Sequence, residues 1–178
     1  MEPTCNKKDF YQASMYYGTL LGTVWSIMYI LLFAGTGSMT ALLLASILFF
    51  ASPFIAARYA IKYRKSECDD SMSFGQTWIF VFYMYICAGL LSALASFLYL
   101  RFIDGGTFFI SLQEMLRSGA ELPGTDEVMK QQMAELTNSI GATSAKDFVW
   151  QLLSNNMFNT SILPLIIAIF AHKNKKKN

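Results

Sequence analysis

Apolar residues run along this chain in long unbroken blocks, not in strict alternation. From Ser71 to Leu100, thirty consecutive positions carry no charged side chain. A helix crosses the hydrocarbon core of a bilayer in about 20 residues, so this run is long enough to span one. Similar blocks cover about 18–34, 40–60 and 148–171, and with the central run, placed at 75–103, they predict four membrane-spanning helices. Gly35-Thr36-Gly37-Ser38 leaves so short a connection that the first two helices must be antiparallel neighbours. Pro53 removes the amide that would bond to the Phe49 carbonyl, which predicts a bend in the second helix.

The polar joints carry their own signals. Ser73 with Gln76 three positions on is a capping box, satisfying orphan amides where the third helix begins. Arg101 and Asp104 close that helix within helical reach of each other. Between 104 and 147, Phe108, Phe109, Leu112, Met115 and Leu116 fall on one face of a short amphipathic helix, which Leu122-Pro123-Gly124-Thr125 ends. A second helix is expected after Thr125, with Asp126 and Glu127 in its first turn, Met129, Met133, Leu136 and Ile140 on one stripe, and Gly141 at its end. Ser144 and Asp147 repeat a capping pattern ahead of the last apolar block.

Composition sharpens this picture. Hydrophobic residues make up 54% of the 178 positions and aromatic residues 15%, more than a soluble surface tolerates. The formal charge of +2 hides an asymmetry. Ten of the fourteen basic residues lie in the N-terminal tail, around Lys62 and in the C-terminal tail, whereas 104–147 holds Arg117, Lys130 and Lys146 against seven acids. The positive-inside rule then predicts cytoplasmic N- and C-termini and an extracytoplasmic 104–147 segment. The first apolar block exceeds a signal-peptide core and no A-x-A-like site follows it, so it is read as uncleaved. The fold expected is all-α: a polytopic membrane protein forming one domain over 1–178, a four-helix transmembrane bundle with a short helical periplasmic segment between the third and fourth spans.

Reaction chemistry is sparse. His172 is the single histidine and sits among lysines, which supports neither a His-dependent triad nor a histidine-rich metal site. Cys5, Cys68 and Cys87 lack C-x-x-C spacing and read as free thiols. Gly35-x-Gly37 is not continued into a phosphate loop. Asp69-Asp70 and Asp126-Glu127 read as solvated acids. The expectation is therefore no enzyme, no catalytic residue, no cofactor, no metal and no nucleic-acid partner.

Three residue sets stand out instead. Gly18, Gly22 and Ser26, with Ala88, Ser92 and Ser96, form small-residue stripes that let helix backbones approach closely, either inside this bundle or against a second copy in a homo-oligomer. Gln151, Asn155, Asn156 and Asn159 place amides in the outer half of the fourth span, either bonding to the third helix or walling a polar cavity. Arg58, Lys62, Arg64 and Lys65 form a basic rim for anionic membrane lipids or a protein partner.

Lys62-Tyr63-Arg64 after the second helix, Ser73-Phe74-Gly75-Gln76 opening the third, Phe102-Ile103-Asp104 closing it, an acidic outer segment and a polar-then-proline fourth helix together resemble the bacterial domain-of-unknown-function family 4199. The resemblance extends from about Tyr17 to Lys175. It implies a small protein of the bacterial inner membrane with no established activity. It also implies genes placed near polyprenyl-phosphate glycosyltransferases of the mannose-synthase type. The function expected is a non-catalytic accessory or scaffold subunit for a membrane-associated partner, such a glycosyltransferase among them. The alternative is a small-solute transporter or channel using a polar cavity along the fourth span, against which stands the lack of an ionisable residue at mid-membrane.

Overall fold

The structure is a computed structural model that describes residues 7–122 and 126–173, with the side chains at 7, 8, 37 and 156–161 outside that description. Its helices are α1 (Lys7–Ala34), α2 (Met39–Glu67), α3 (Phe74–Leu98), α4 (Thr107–Ala120), α5 (Glu127–Ala142) and α6 (Ala145–Ala171). Three of them contain segments long and apolar enough to cross a membrane: Asp9–Ala34, Met39–Glu67 and Phe74–Ile103. Their hydrophobicity is not consumed by the core. Leu43, Ile47, Phe49, Phe50 and Phe54 of α2 and Leu90, Leu94 and Leu98 of α3 are all exposed, a distribution that suits a helix surrounded by lipid.

α1, α2, α3 and α6 run up, down, up and down. α1 packs most extensively on α3, and α3 in turn on α6. One end of the bundle gathers Phe10, Tyr63 and Phe80; the other gathers Phe33, Leu100, Phe108 and Val149. α6 touches both ends, with Val149 in the second cluster and Ile167 and Ala171 in the first. It therefore travels the length of α3, about 40 Å for 27 residues.

Local chemistry sets the boundaries. The turn between α1 and α2 is a single 3-10 turn, Gly35–Gly37, closed by the Ser38 amide donating to the Gly35 carbonyl at 2.8 Å. The Ser73 side-chain oxygen accepts from the Gln76 amide at 3.3 Å, and the Ser73 amide donates to Gln76 Oε1 at 3.0 Å, completing the capping box. Ser144 caps α6 by accepting from the Asp147 amide at 3.2 Å. α2 stays helical through Pro53 and continues beyond its apolar stretch to Glu67. The overrun has a packing reason: Tyr63 stacks on Phe80 with ring centroids 4.5 Å apart and planes 12° apart.

Two expectations need correction. α3 does not end as a plain α-helix, because Tyr99–Ile103 widens into a π turn in which the Asp104 amide donates to the Tyr99 carbonyl at 2.9 Å. No ion pair joins Asp104 to Arg101. Its carboxylate instead accepts from the Phe108 amide at 3.0 and 3.2 Å, capping α4 after Gly105 and Gly106, both at positive φ. The second correction concerns Cys68, which is fully buried and disulfide-bonded, not a free thiol; Cys87 is the free one among the described residues. Sequence spacing tests only local pairs, whereas bonding follows proximity in the fold.

α4 and α5 pack chiefly on each other. Gln113 Nε2 donates to the Thr137 carbonyl at 3.1 Å, and Phe108 roots the pair in the bundle against Phe33 at 5.0 Å between ring centroids.

Candidate functional site

The small-residue stripes meet each other. A Cβ added to Gly18 would lie 2.7 Å from the Met84 carbonyl oxygen and 2.7 Å from Cys87 Cβ; one added to Gly22 would lie 3.0 Å from Ala88 Cα. Ala88, Ser92 and Ser96 are buried on the facing helix, and Ser26 bonds to its own helix, donating to the Gly22 carbonyl at 2.7 Å. The α1–α3 contact thus depends on backbone approaching backbone, the way helices associate where lipid removes the hydrophobic drive.

At the end where α2 turns into α3, the four basic residues predicted as one rim divide into two groups. Arg58, Lys62 and Lys65 are exposed and surround a shallow recess with Tyr59, Ile61 and Ser66. Arg64 turns inward. It is 8% exposed, its Nη1 donates to the Ala171 carbonyl at 2.5 Å, and its Nε donates to Asp70 Oδ1 at 3.0 Å. Ala171 is the last residue of α6, so the guanidinium takes up a carbonyl that the helix itself leaves unbonded.

Asp70 also receives the Lys173 ammonium, and Met72 and Lys173 exchange two backbone hydrogen bonds of 2.8 and 3.0 Å. The hydrogen bond from Lys173, aided by the charges of Lys173 and Arg64, holds the Asp70 carboxyl below its ordinary range. Asp69 and Asp70 reach this position through left-handed backbone, φ 49° and 52°, which aspartate tolerates better than most residues. Together these contacts form a clasp that ties the start of α3 and the end of α2 to the end of α6. Asp70 is therefore an ion-pair partner, not the free acid expected. His172 is occupied locally, its Nδ1 2.9 Å from the Ala168 carbonyl and its ring edge-on to Phe74.

Of the amide cluster, the two described members do not take the inward side of α6. Gln151 and Asn155 are exposed, while Val149 and Leu152 take the inward side of α6. Asn156 and Asn159 lie outside the described side chains.

Sequence reasoning missed a cavity of about 340 Å³ between α1, α2 and α6, floored by α3. Trp25 Nε1 donates to Ser52 Oγ at 2.6 Å within its wall. Tyr85, 1% exposed, stands edge-on to Trp25 at 5.2 Å and lines the same space. Ser52 neighbours the Tyr85 hydroxyl, but no atom meets hydrogen-bond geometry with that hydroxyl. The signal available in the chain was Ser52-Pro53, a polar residue and a helix breaker in the middle of an apolar block. No group of three or more His, Cys, Asp or Glu side chains is placed to hold a metal among the described residues.

Against this geometry, the family described as "Protein of unknown function (DUF4199)" matches residues 16–173. The chain belongs to that family. The matched segment begins within α1 and ends on Lys173, so it takes in all three members of the clasp. No curated protein matches the chain, and no solved structure does.

Proposed function

We propose that this DUF4199 member is a four-span protein of the bacterial inner membrane and acts as a non-catalytic accessory subunit, presenting Arg58, Lys62 and Lys65 to an acidic surface of a membrane-associated protein. The observation that carries the reading is the division of the basic residues. Arg64 and Lys173 are spent on the clasp, whereas their three neighbours on α2 remain exposed and form no ion pair among the described residues. Three solvated cations on one helix face add little to stability and are available for an anionic partner. α6 supplies the fourth span, since it runs the length of α3 and ends in the apolar stretch Ile162–Ala171.

The distribution of charge favours a cytoplasmic clasp end. The Cys68 disulfide argues the other way, because such bonds persist in oxidising compartments. The charge asymmetry draws on ten residues in three segments, the disulfide on one bond. Labelling of intact cells with an impermeant thiol reagent, using single cysteines introduced at Asp126 and Lys62, tests the orientation. Reaction at 126 and not at 62 supports it, and the opposite pattern overturns it.

The partner expected from the family resemblance is a polyprenyl-phosphate glycosyltransferase encoded nearby. Purification of the pair in mild detergent, with Arg58, Lys62 and Lys65 all changed to Gln, tests the rim. Loss of the partner at unchanged melting temperature supports the reading. Independent migration of both proteins, with the triple variant indistinguishable from the native chain, overturns it.

A further inference from the structure

The cavity between α1, α2 and α6 has the chemistry of a site for one kind of molecule. Its walls include the rings of Trp25, Tyr29, Phe49, Phe50 and Tyr85, surfaces that favour a flat ring offset or edge-on to them. None of its described lining residues is charged. A phosphate, carboxylate or ammonium placed there would be stripped of water with no counter-charge, which excludes ionic headgroups and charged solutes. Among the described residues of the wall, the buried hydroxyl of Tyr85 meets no acceptor at hydrogen-bond geometry. Trp25 already has Ser52 as its acceptor. An unpaired donor buried to this degree is costly unless something occupies the space before it. An occupant that brings an oxygen acceptor without bringing a charge would satisfy this donor. Phe49 and Phe50 at the margin are exposed on the outer surface of α2, so the cavity opens sideways, toward lipid in the membrane reading. At about 340 Å³ it is within the range of small-molecule sites, about 300–1,000 Å³, near its lower limit.

We infer that this cavity binds a neutral, flat, carbonyl-bearing ring that enters from the bilayer, a quinone-type lipophile, with a ring carbonyl accepting from the Tyr85 hydroxyl. The inference rests on the membrane reading of the bundle but not on the accessory role, so loss of the basic rim leaves it untouched.

The test uses the full chain in detergent micelles with Trp78 and Trp150 changed to Phe, leaving Trp25 as the sole tryptophan reporter. A 1,4-naphthoquinone bearing an isoprenoid tail is titrated in, since quinones quench indole fluorescence on contact. Saturable quenching at one equivalent is expected. Tyr85→Phe, which keeps the ring and removes the donor, is expected to raise the half-saturation concentration about two- to tenfold. Met28→Phe narrows the cavity without touching the hydroxyl and is expected to reduce binding even if Tyr85→Phe fails to fold. The tail-free naphthoquinone separates the sources. Equal binding of both compounds assigns the site to a free lipophile, and binding of the tailed form alone assigns it to a lipid quinone. Quenching that rises linearly without saturation, or saturates identically in the native chain and in every folded variant, overturns the inference.

Discussion

Where α2 turns into α3, a guanidinium, a carboxylate and an ammonium close the bundle over stacked Tyr63 and Phe80. Where α1 turns into α2, the bundle is closed by apolar packing led by rings, Phe33 meeting Phe108 at 5.0 Å and Phe148 at 6.1 Å. Both ends solve the same problem, holding α6 against the α1–α3 pair, but they use different forces. The polar end joins three elements through directional bonds whose strength depends on protonation and salt. The aromatic end depends on shape and dispersion, which neither pH nor salt alters much. The contrast predicts that α6 can be released at one end without being released at the other.

The largest test of this contrast is at the aromatic end. Phe33→Ala is expected to destabilise the protein by up to about 3–5 kcal/mol, the figure for emptying a packed aromatic site, with a melting temperature that shifts equally at low and high salt. Arg64→Ala comes next, costing about 1.5–3 kcal/mol for lost charged hydrogen bonds. Amide exchange should then rise at Met72 and at 171–173 while Phe108 and Val149 stay protected. Exchange that rises equally at both ends would show that the ends are not independent.

Gly18→Ala sharpens the comparison from the middle. The new methyl meets backbone at 2.7 Å, so α1 and α3 must separate, at about 1–3 kcal/mol for an overpacked contact. A thermal scan in detergent reads it, and both ends should loosen together.

Acid provides a gentler separation. The Asp70 carboxyl is depressed in the folded protein, so its contribution is fully present above the ordinary value of 3.8 and is lost as pH falls through the lower, folded value. Melting temperature followed downward from pH 6 should fall more steeply in the native chain than in Asp70→Asn below that point. Parallel curves would remove Asp70 from the clasp. The smallest effect is expected at the rim, where Lys62→Gln with Lys65→Gln should change stability by no more than about 0.5 kcal/mol.

Much of this organisation was legible in advance because it is local or periodic. The capping pairs Ser73–Gln76 and Ser144–Asp147 act within one turn, and both appear where their spacing put them. The apolar blocks survive as α1, α2 and α3 because helical hydrogen bonds satisfy the backbone wherever water is scarce. The tight turn after Ala34 follows from Gly35 and Gly37 in the same way. Arg64 was misread for the opposite reason. In the sequence it is one of several cations, and only the arrival of Ala171, 107 positions later, makes it a clasp. Asp104 likewise looked paired to Arg101, whereas its carboxylate is taken by the Phe108 amide at the start of the next helix. Tyr85 gave no sign at all, since its unpaired hydroxyl is defined by what surrounds it.

By itself the sequence determined that long helices form, that α3 and α6 begin at their capping serines, and that basic segments are set apart from an acidic one, although α1 begins at Lys7, well ahead of the 18–34 block read from its apolar residues. These properties depend on residues a few positions apart, or on sums of charge that no folding step alters. Only tertiary structure decided which cation is buried and which is free, which cysteine is bonded, and that Trp25, Ser52 and Tyr85 share a cavity. Each of those depends on distances between helices far apart in the chain, where a shift of a few ångströms makes or breaks the contact.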